Sequence, residues 1–445
     1  MIYSFLKTVC KLALKVYFRK TYVNGKDKIP QKGPYLIVAN HPSSFLDPLC
    51  IASQIEPKIN FLAKGVMFKN KLIASILRGL NMVPIHRAQD NPKMLNQNKA
   101  VFKDCFKKLG KNEVIMIFPE GTSEMERRLR KIKTGASRIA LGAEKENDFQ
   151  LNLKILPVGL NYTKSSRFRS EVIINFGDAI EVSDYFQQYN ENEIEATKSL
   201  TDRIETEIRD LMIAIDKEEH DELVENIESL YKSNLSEDNT LENIKISQTI
   251  VEAIDYYQKT NPIVYDTMAN KIDQYYMKLK RLSLSDRSLK KIKERKRFLP
   301  EMIKSTLALI LGFPLWLFGF ITSYIPYKLP RAIALKITDS EAFYGALLMS
   351  LGTLLFILFY SAQIIVSWLL FHNWIITLSF GILLILSAFF TIYYARNARR
   401  LYFNFSLALK LTRKKELIKE LIIERKKIIN ELSDIGQNYL SSIQS

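Results

Sequence analysis

Cysteine and histidine are scarce in this chain of 445 residues: Cys10, Cys50 and Cys105 are its thiols, and His41, His86, His220 and His372 its imidazoles. No Cys-x-x-Cys pair and no metal-ligand spacing occurs. That excludes zinc modules and a disulfide framework, so free thiols in a reducing compartment are expected, and no metal site. A Gly-x-Ser-x-Gly nucleophile elbow is missing too, which counts against a lipid hydrolase. Acidic residues are in deficit, 47 Asp and Glu against 64 Lys and Arg, leaving a net charge of +17. No RNA-binding signature or basic-aromatic interleaving accompanies that charge, so no nucleic-acid partner is expected. Anionic membrane lipids account for it better, each Lys or Arg near such a surface contributing about 1 kcal/mol.

A cleavable leader is not expected either. Lys7, Lys11 and Lys15 interrupt the first apolar run, and no small-residue cleavage site follows. Their spacing stacks them on one helix face, while Phe5, Leu6, Val9, Leu12, Val16 and Tyr17 fill much of the remainder. Residues 1–26 are read as an amphipathic helix lying in the membrane interface.

The length calls for two or more units. Across residues 27–182, β-rich runs (Tyr35–Ala39, Ile59–Ala63, Met82–Ile85, Val114–Phe118, Ile155–Leu160, Val172–Phe176) are separated by helix-like stretches at Phe68–Leu80, Met94–Leu109 and Ile132–Ala143. Alternation of this kind predicts an α/β domain with a mostly parallel sheet, its functional loops at the carboxyl ends of the strands. Residues 183–300 lose Gly and Pro and space Leu200, Ile204, Ile208, Leu211 and Ile215 at helical intervals, so a helical region is expected there.

Residues 301–395 carry three apolar blocks, Leu307–Ile325, Tyr344–Phe371 and Trp374–Tyr394, each near the roughly 20 residues that span a bilayer. Basic residues flank every boundary except His372-Asn373: Arg295 and Lys304, then Lys328, Arg331 and Lys336, then Arg396, Arg399 and Arg400. By the positive-inside rule the last two blocks form a spanning hairpin, and the first is expected to be re-entrant or interfacial rather than a third span. The catalytic domain is then expected to face the cytoplasm. Residues 396–445 are read as a basic helical tail, with Ile418, Leu421, Ile428, Leu432, Ile435 and Tyr439 on one side and Arg425 interrupting it.

Chemistry concentrates in three places after strands. Asn40-His41-Pro42-Ser43-Ser44-Phe45-Leu46-Asp47 offers a base that titrates near neutrality, with a carboxylate to fix its tautomer. Asp47 before Pro48 also reads as a plain helix cap, and the two roles are compatible. Phe118-Pro119-Glu120-Gly121-Thr122-Ser123 offers a glycine turn that an anion can approach closely, followed by a cationic run that includes Lys133. Val83-Pro84-Ile85-His86-Arg87 offers a forked donor in Arg87, with His86 a spectator, and Lys64 adds positive potential nearby. A base with a carboxylate beside it, then a phosphate turn, suits the transfer of an acyl group to an alcohol.

Together these segments resemble the phospholipid/glycerol acyltransferase family, which acylates glycerol 3-phosphate and its monoacyl derivative. Four blocks stand in family order: Asn40-His41 through Asp47, Val83 through Arg87, Phe118 through Thr122, and Leu156-Pro157-Val158-Gly159-Leu160, with Lys133-Thr134-Gly135-Ala136 matching a further turn. The resemblance covers about residues 20–180. It implies a membrane-bound O-acyltransferase in which His41, oriented by Asp47, deprotonates the acceptor hydroxyl. Arg87, Glu120, Gly121 and Thr122 would hold the acceptor phosphate, and Asn40, Ser44, Lys64 and Lys133 would assist. The donor would be acyl-CoA or acyl-carrier protein, with no cofactor and no metal. The expected acceptor is 1-acyl-glycerol 3-phosphate, giving phosphatidic acid, with glycerol 3-phosphate the alternative. A lipid hydrolase and a membrane scaffold are the lesser readings. Five residues separate His41 from Asp47, one more than the commonest family spacing and similar to certain glycerol-3-phosphate acyltransferases; this bears on the acceptor more than on catalysis.

Overall fold

Residues Tyr35 to Ala39 are apolar without a break and all five are buried, the mark of a central strand covered on both faces. The computed structural model describes residues 2–87, 89–90, 92–232, 240–286, 289 and 298–444, so Arg295 lies outside the described residues. The elements run α1 (Ile2–Tyr17), β1 (Lys20–Asn24), β2 (Tyr35–Ala39), α2 (Leu46–Ala52), β3 (Ile59–Lys64), α3 (Lys71–Gly79), β4 (Met82–Ile85), α4 (Asn98–Gly110), β5 (Val114–Ile117), α5 (Gly135–Glu146), β6 (Lys154–Tyr162), β7 (Glu171–Phe176) and β8 (Ile180–Glu181). Helices follow: α6 (Phe186–Glu191), α7 (Glu193–Asp210), α8 (Asp221–Lys232), α9 (Thr240–Thr260), α10 (Pro262–Arg281), α11 (Phe298–Ile337), α12 (Glu341–Phe371), α13 (Trp374–Arg413) and α14 (Lys415–Gln444). Two compact units form, Met1–Asp216 with Ala334–Ser350, and Lys217–Ile333 with Leu351–Ser445.

In the first unit the strands lie in the order β1-β7-β6-β2-β5-β3-β4, with β8 beside β6. The pairs β2–β5, β2–β6, β3–β5, β3–β4 and β1–β7 are parallel, while β6–β7 and β6–β8 are antiparallel. The period of two divides the strand residues between two cores. Leu36, Val38, Ile115, Ile117 and Ile155 pack with α4, α5 and α7 through Leu109, Ile139 and Leu200. Tyr35, Ile37, Ala39, Met116 and Val158 pack with α1 and α2 through Leu14, Leu46 and Ile51.

Three features differ from the sequence reading. The charged edge strand β1, paired with β7, and the two-residue β8 carry too little apolar pattern to stand out. Helix α7 buries Ala196, Leu200, Ile204 and Ile208 against the first core, so the first unit runs past residue 182. Residues 334–350 also join the first unit: Ala346 and Met349 enter the core with Tyr17 and Leu46, and Gly345 meets the Ser165 carbonyl too closely for any Cβ.

Helix α1 turns Lys7 and Lys11 toward the chain after α2, while Lys15 is exposed. Lys7 Nζ donates to the carbonyls of Ile55 at 2.5 Å and Glu56 at 3.0 Å, and Lys11 lies 3.8 Å from the Glu56 carboxylate. Phe5, Leu12 and Val16 are left exposed.

In the second unit α11, α12 and α13 are each long and apolar enough to cross a membrane. Helix α11 packs against both α12 and α13. A Cβ at Gly312 would touch Phe390 and Tyr394 on α13, the Thr322 carbonyl accepts from Gln363 on α12 at 3.0 Å, and a Cβ at Gly352 on α12 would lie 3.9 Å from Pro330. Tyr360 reaches the Leu384 carbonyl at 3.4 Å, which sets the levels of α12 and α13 against each other. Pro314, Pro326 and Pro330 remove backbone donors and let α11 bend. The turn at His372-Asn373 is closed by the Asn373 side chain, which accepts from the Ile375 amide at 2.9 Å.

Arg425, an interruption in the apolar stripe of the tail, is its anchor. Its Nε lies 2.7 Å from Asp286 Oδ1 and its Nη2 2.9 Å from Oδ2, while Tyr275 donates to Oδ1 at 2.7 Å. Helix α14 therefore docks on the helical region. Because Asp286 is buried, Arg425→Ala leaves an uncompensated carboxylate, a loss of roughly 3–5 kcal/mol. Hydrogen exchange on the full chain is expected to show α14 losing protection while β2 and β5 keep theirs.

Candidate active site

Because β2 to β6 are tied by parallel pairings, their carboxyl ends share one edge of the sheet. That edge carries His41 after β2, Lys64 at the end of β3, Arg87 after β4, Glu120 and Gly121 after β5, and Tyr162 at the end of β6.

His41 and Asp47 meet. His41 Nδ1 lies 2.8 Å from Asp47 Oδ2, the imidazole stacks on Phe118 with centroids 4.0 Å apart, and the side chain is 15% exposed. The Asp47 carboxylate has no exposed surface. It also accepts from the Ser43 amide at 2.7 Å on Oδ2 and from the Tyr162 hydroxyl at 2.7 Å on Oδ1. Asp47 lies inside the first turn of α2, after the capping residue Phe45, and its bonds run to His41 and Ser43 of the loop and to Tyr162 rather than being those of a helix cap. Ser44 takes a positive φ of 43°, which absorbs the additional loop residue. With Nδ1 committed to a carboxylate, Nε2 is the ring nitrogen left to accept a proton.

The neighbouring expected residues fix this loop from beneath. The Asn40 side chain donates to the Leu160 carbonyl at 3.0 Å and accepts its amide at 2.7 Å, extending the β2–β6 ladder by one step. Ser44 donates its amide to Ser123 Oγ at 2.7 Å, tying the first block to the third. Glu120, expected at the phosphate, is buried instead, accepting the His41 amide at 2.7 Å on Oε1 and the Arg130 amide at 3.3 Å on Oε2. It joins the two loops rather than facing a ligand. Gly121 has φ +70°, and a Cβ there would lie 2.7 Å from Lys133 Nζ, so glycine leaves room for that cation. Thr122 is half-buried beside it.

Arg87 reaches the same turn, donating Nη1 to the Gly121 carbonyl. Its fork is occupied: Nε and Nη2 hold the two carboxylate oxygens of Asp90 at 2.6 and 2.5 Å. Arg87 holds Asp90 below the usual carboxylate range, with Lys64 and Lys133 adding to the effect. The Lys64 ammonium is pushed down by burial and by Arg87. A carboxylate thus rests in a nest of three cations that suits a phosphate. The backbone of His86 is held by Asn98, whose side chain accepts its amide at 2.9 Å and donates to its carbonyl at 2.7 Å.

Tyr162 and Asp90 were not marked by sequence reasoning, and Phe118 stood in the third block without a role of its own. Tyr162 ends the strand of the fourth block, and only the parallel register of β6 beside β2 brings its hydroxyl to Asp47. The described residues hold no cluster fit for a metal ion.

Burial pushes the Glu120 carboxyl up to about 7, against the pull of the His41 and Arg130 amides. A raised folded-state pKa favours the folded state fully below the unfolded value of 4.5, and that contribution is lost as pH rises through about 7. The thermal midpoint is expected to fall between about pH 5 and about pH 7, and to fall less in Glu120→Gln, which cannot titrate.

Residues 20–161 match the sequence model of the family described as Acyltransferase. Glycerol-3-phosphate O-acyltransferase 1 of Saccharomyces cerevisiae is 22% identical over 382 residues, 66% of this chain and 50% of that protein. The 1-acyl-sn-glycerol-3-phosphate acyltransferase of Bacillus subtilis is 30% identical over 121 residues, 26% of this chain and 57% of that protein. The crystal structure of the 1-acyl-sn-glycerophosphate acyltransferase PlsC from Thermotoga maritima aligns with 45% of this chain and 78% of its own at 19% identity, with a TM-score of 0.33. The chain spans half or less of the length of the first curated relatives it matches. Over residues 20–161 the chain is thus similar to the Acyltransferase family, and its relatives include glycerol-3-phosphate and 1-acyl-sn-glycerol-3-phosphate acyltransferases.

Proposed function

We propose that the chain is a membrane-bound O-acyltransferase that moves an acyl chain from acyl-CoA or acyl-carrier protein to the free hydroxyl of 1-acyl-glycerol 3-phosphate, giving phosphatidic acid. The observation that carries this is the 2.8 Å contact of His41 Nδ1 with the buried Asp47 carboxylate, at the edge where Arg87 and Lys133 approach Gly121. His41 Nε2 takes the hydroxyl proton as the oxygen attacks the thioester carbonyl. Collapse breaks the carbon–sulfur bond, and the leaving thiolate takes the proton back from the imidazolium. Ester and free thiol result, with His41 neutral again. Asp47 stabilises the imidazolium between the two transfers. Lys64, Arg87 and Lys133 supply the positive field for the acceptor phosphate, which takes the place of the Asp90 carboxylate. Helices α12 and α13 hold the protein in the bilayer, with the catalytic unit on the cytoplasmic side where Lys328, Arg331, Lys336, Arg396, Arg399 and Arg400 cluster.

Glycerol 3-phosphate is a second reading. It is favoured by the match to the yeast glycerol-3-phosphate acyltransferase, which runs over 382 residues and so extends far beyond residues 20–161. One assay tests both: the purified full chain, offered each acceptor against acyl-CoA and acyl-carrier protein, with labelled product counted. His41→Ala is expected to lose about 10²–10⁴-fold in kcat. Asp90→Asn frees the Arg87 fork and is expected to lower the acceptor's KM by up to about tenfold at unchanged kcat, the equivalent of ~1.4 kcal/mol. Full activity in His41→Ala contradicts the mechanism, and a raised KM in Asp90→Asn contradicts the phosphate nest.

A further inference from the structure

Helix α3 presents an apolar face that no described residue covers. Leu72 is 72% exposed, Ile76 56% and Ile73 47%, and Val66 in the turn before it is 40% exposed, while Ala74 and Leu77 on the opposite side are buried. Asn70 caps the helix through bonds to the Leu72 and Ile73 amides, so the exposed face belongs to an ordered element.

Along the chain on either side of this face the charge has one sign. From Pro57 to Gln89 the chain has no Asp or Glu, and Lys69, Lys71 and Arg78 are exposed on or beside α3. Apolar side chains rimmed by cations match the headgroup region of an anionic bilayer, which takes up the first and attracts the second.

Position supplies the remaining argument. Lys64, the last residue of β3, places its ammonium 5.5 Å from the ring of Phe343. Phe343 lies in the first turn of α12, which leaves the first unit after Ser350 as a helix of membrane length. The turn Gly65–Phe68 and α3 follow Lys64 directly, so α3 stands beside the point where the chain departs for the bilayer.

We propose that the outward face of α3 is a lipid-contacting surface, seated in the headgroup region of an anionic bilayer beside α12. Leu72, Ile73 and Ile76 enter the apolar boundary, and Lys69, Lys71 and Arg78 meet lipid phosphates. The contact does not depend on the acyl-transfer chemistry. It holds the phosphate-binding edge of the sheet at the membrane surface, where a lipid acceptor reaches it without leaving the bilayer.

The test uses the full chain in nanodiscs of zwitterionic and anionic phospholipid, with Cys10→Ser leaving the buried Cys50 and Cys105. A fluorophore is attached at Ile76→Cys, and in a second protein at Lys103→Cys, an exposed position on α4. Lipid carrying a shallow spin label is expected to quench the Ile76 site severalfold more than the Lys103 site, and aqueous iodide to do the reverse. Leu72→Glu combined with the Ile76 label is expected to reduce lipid quenching severalfold. Equal iodide quenching at both sites overturns the proposal. So does energy transfer between differently labelled copies at Ile76 without lipid quenching, which assigns the face to a second copy.

Discussion

An ionised carboxylate with no exposed surface carries a desolvation cost of several kcal/mol, and it persists only where its oxygens are bonded. Asp47 meets that condition with the Ser43 amide, the Tyr162 hydroxyl and the His41 ring, each at 2.7 or 2.8 Å. Each bond ties Asp47 to a different neighbour: the loop, the end of β6 and the base. The parallel sheet is the frame that lets one carboxylate reach all three, because β2 and β6 end on the same edge. Without Asp47, His41 would lack the partner that fixes its Nδ1.

A second carboxylate supports the same loop from the other side. Glu120 accepts the His41 amide, Asn40 locks the strand end to Leu160, and Ser123 holds the Ser44 amide. The family blocks thus contribute to the position of the base as much as to a ligand. Arg87 follows the same rule, since Nε and Nη2 bond Asp90 and Nη1 bonds Gly121. Binding of an anion at that place is an exchange of one charge-assisted partner for another, which suits a phosphate that must arrive and leave.

The meeting of His41 with Asp47 and of Arg87 with Gly121 was legible in the sequence because each residue sits in a short block whose residue types already suggest a chemistry. The strands β2, β4 and β5 were legible because their apolar runs are unbroken. Tyr162 was not, since its partner lies 115 residues away and only the register of β6 makes the pair. Glu120 was assigned to a ligand because a carboxylate beside a glycine turn does not announce that backbone amides will take both its oxygens. Arg425 looked like a break in a stripe because the carboxylate that neutralises it, Asp286, is 139 residues away in the chain. The docking of Ala346 and Met349 into the catalytic core was hidden in an apolar block that membrane insertion alone explains.

The unity of His41 and Asp47 is tested most directly by a double-mutant cycle on acyl transfer. The rates of His41→Ala, Asp47→Ala and the double variant are measured on protein whose fold is checked by hydrogen exchange of β2 and β5. If Asp47 acts through the imidazole, the double variant is no slower than His41→Ala alone. Losses that multiply across the two positions would contradict a shared function and leave Asp47 as a structural carboxylate beside an independent base.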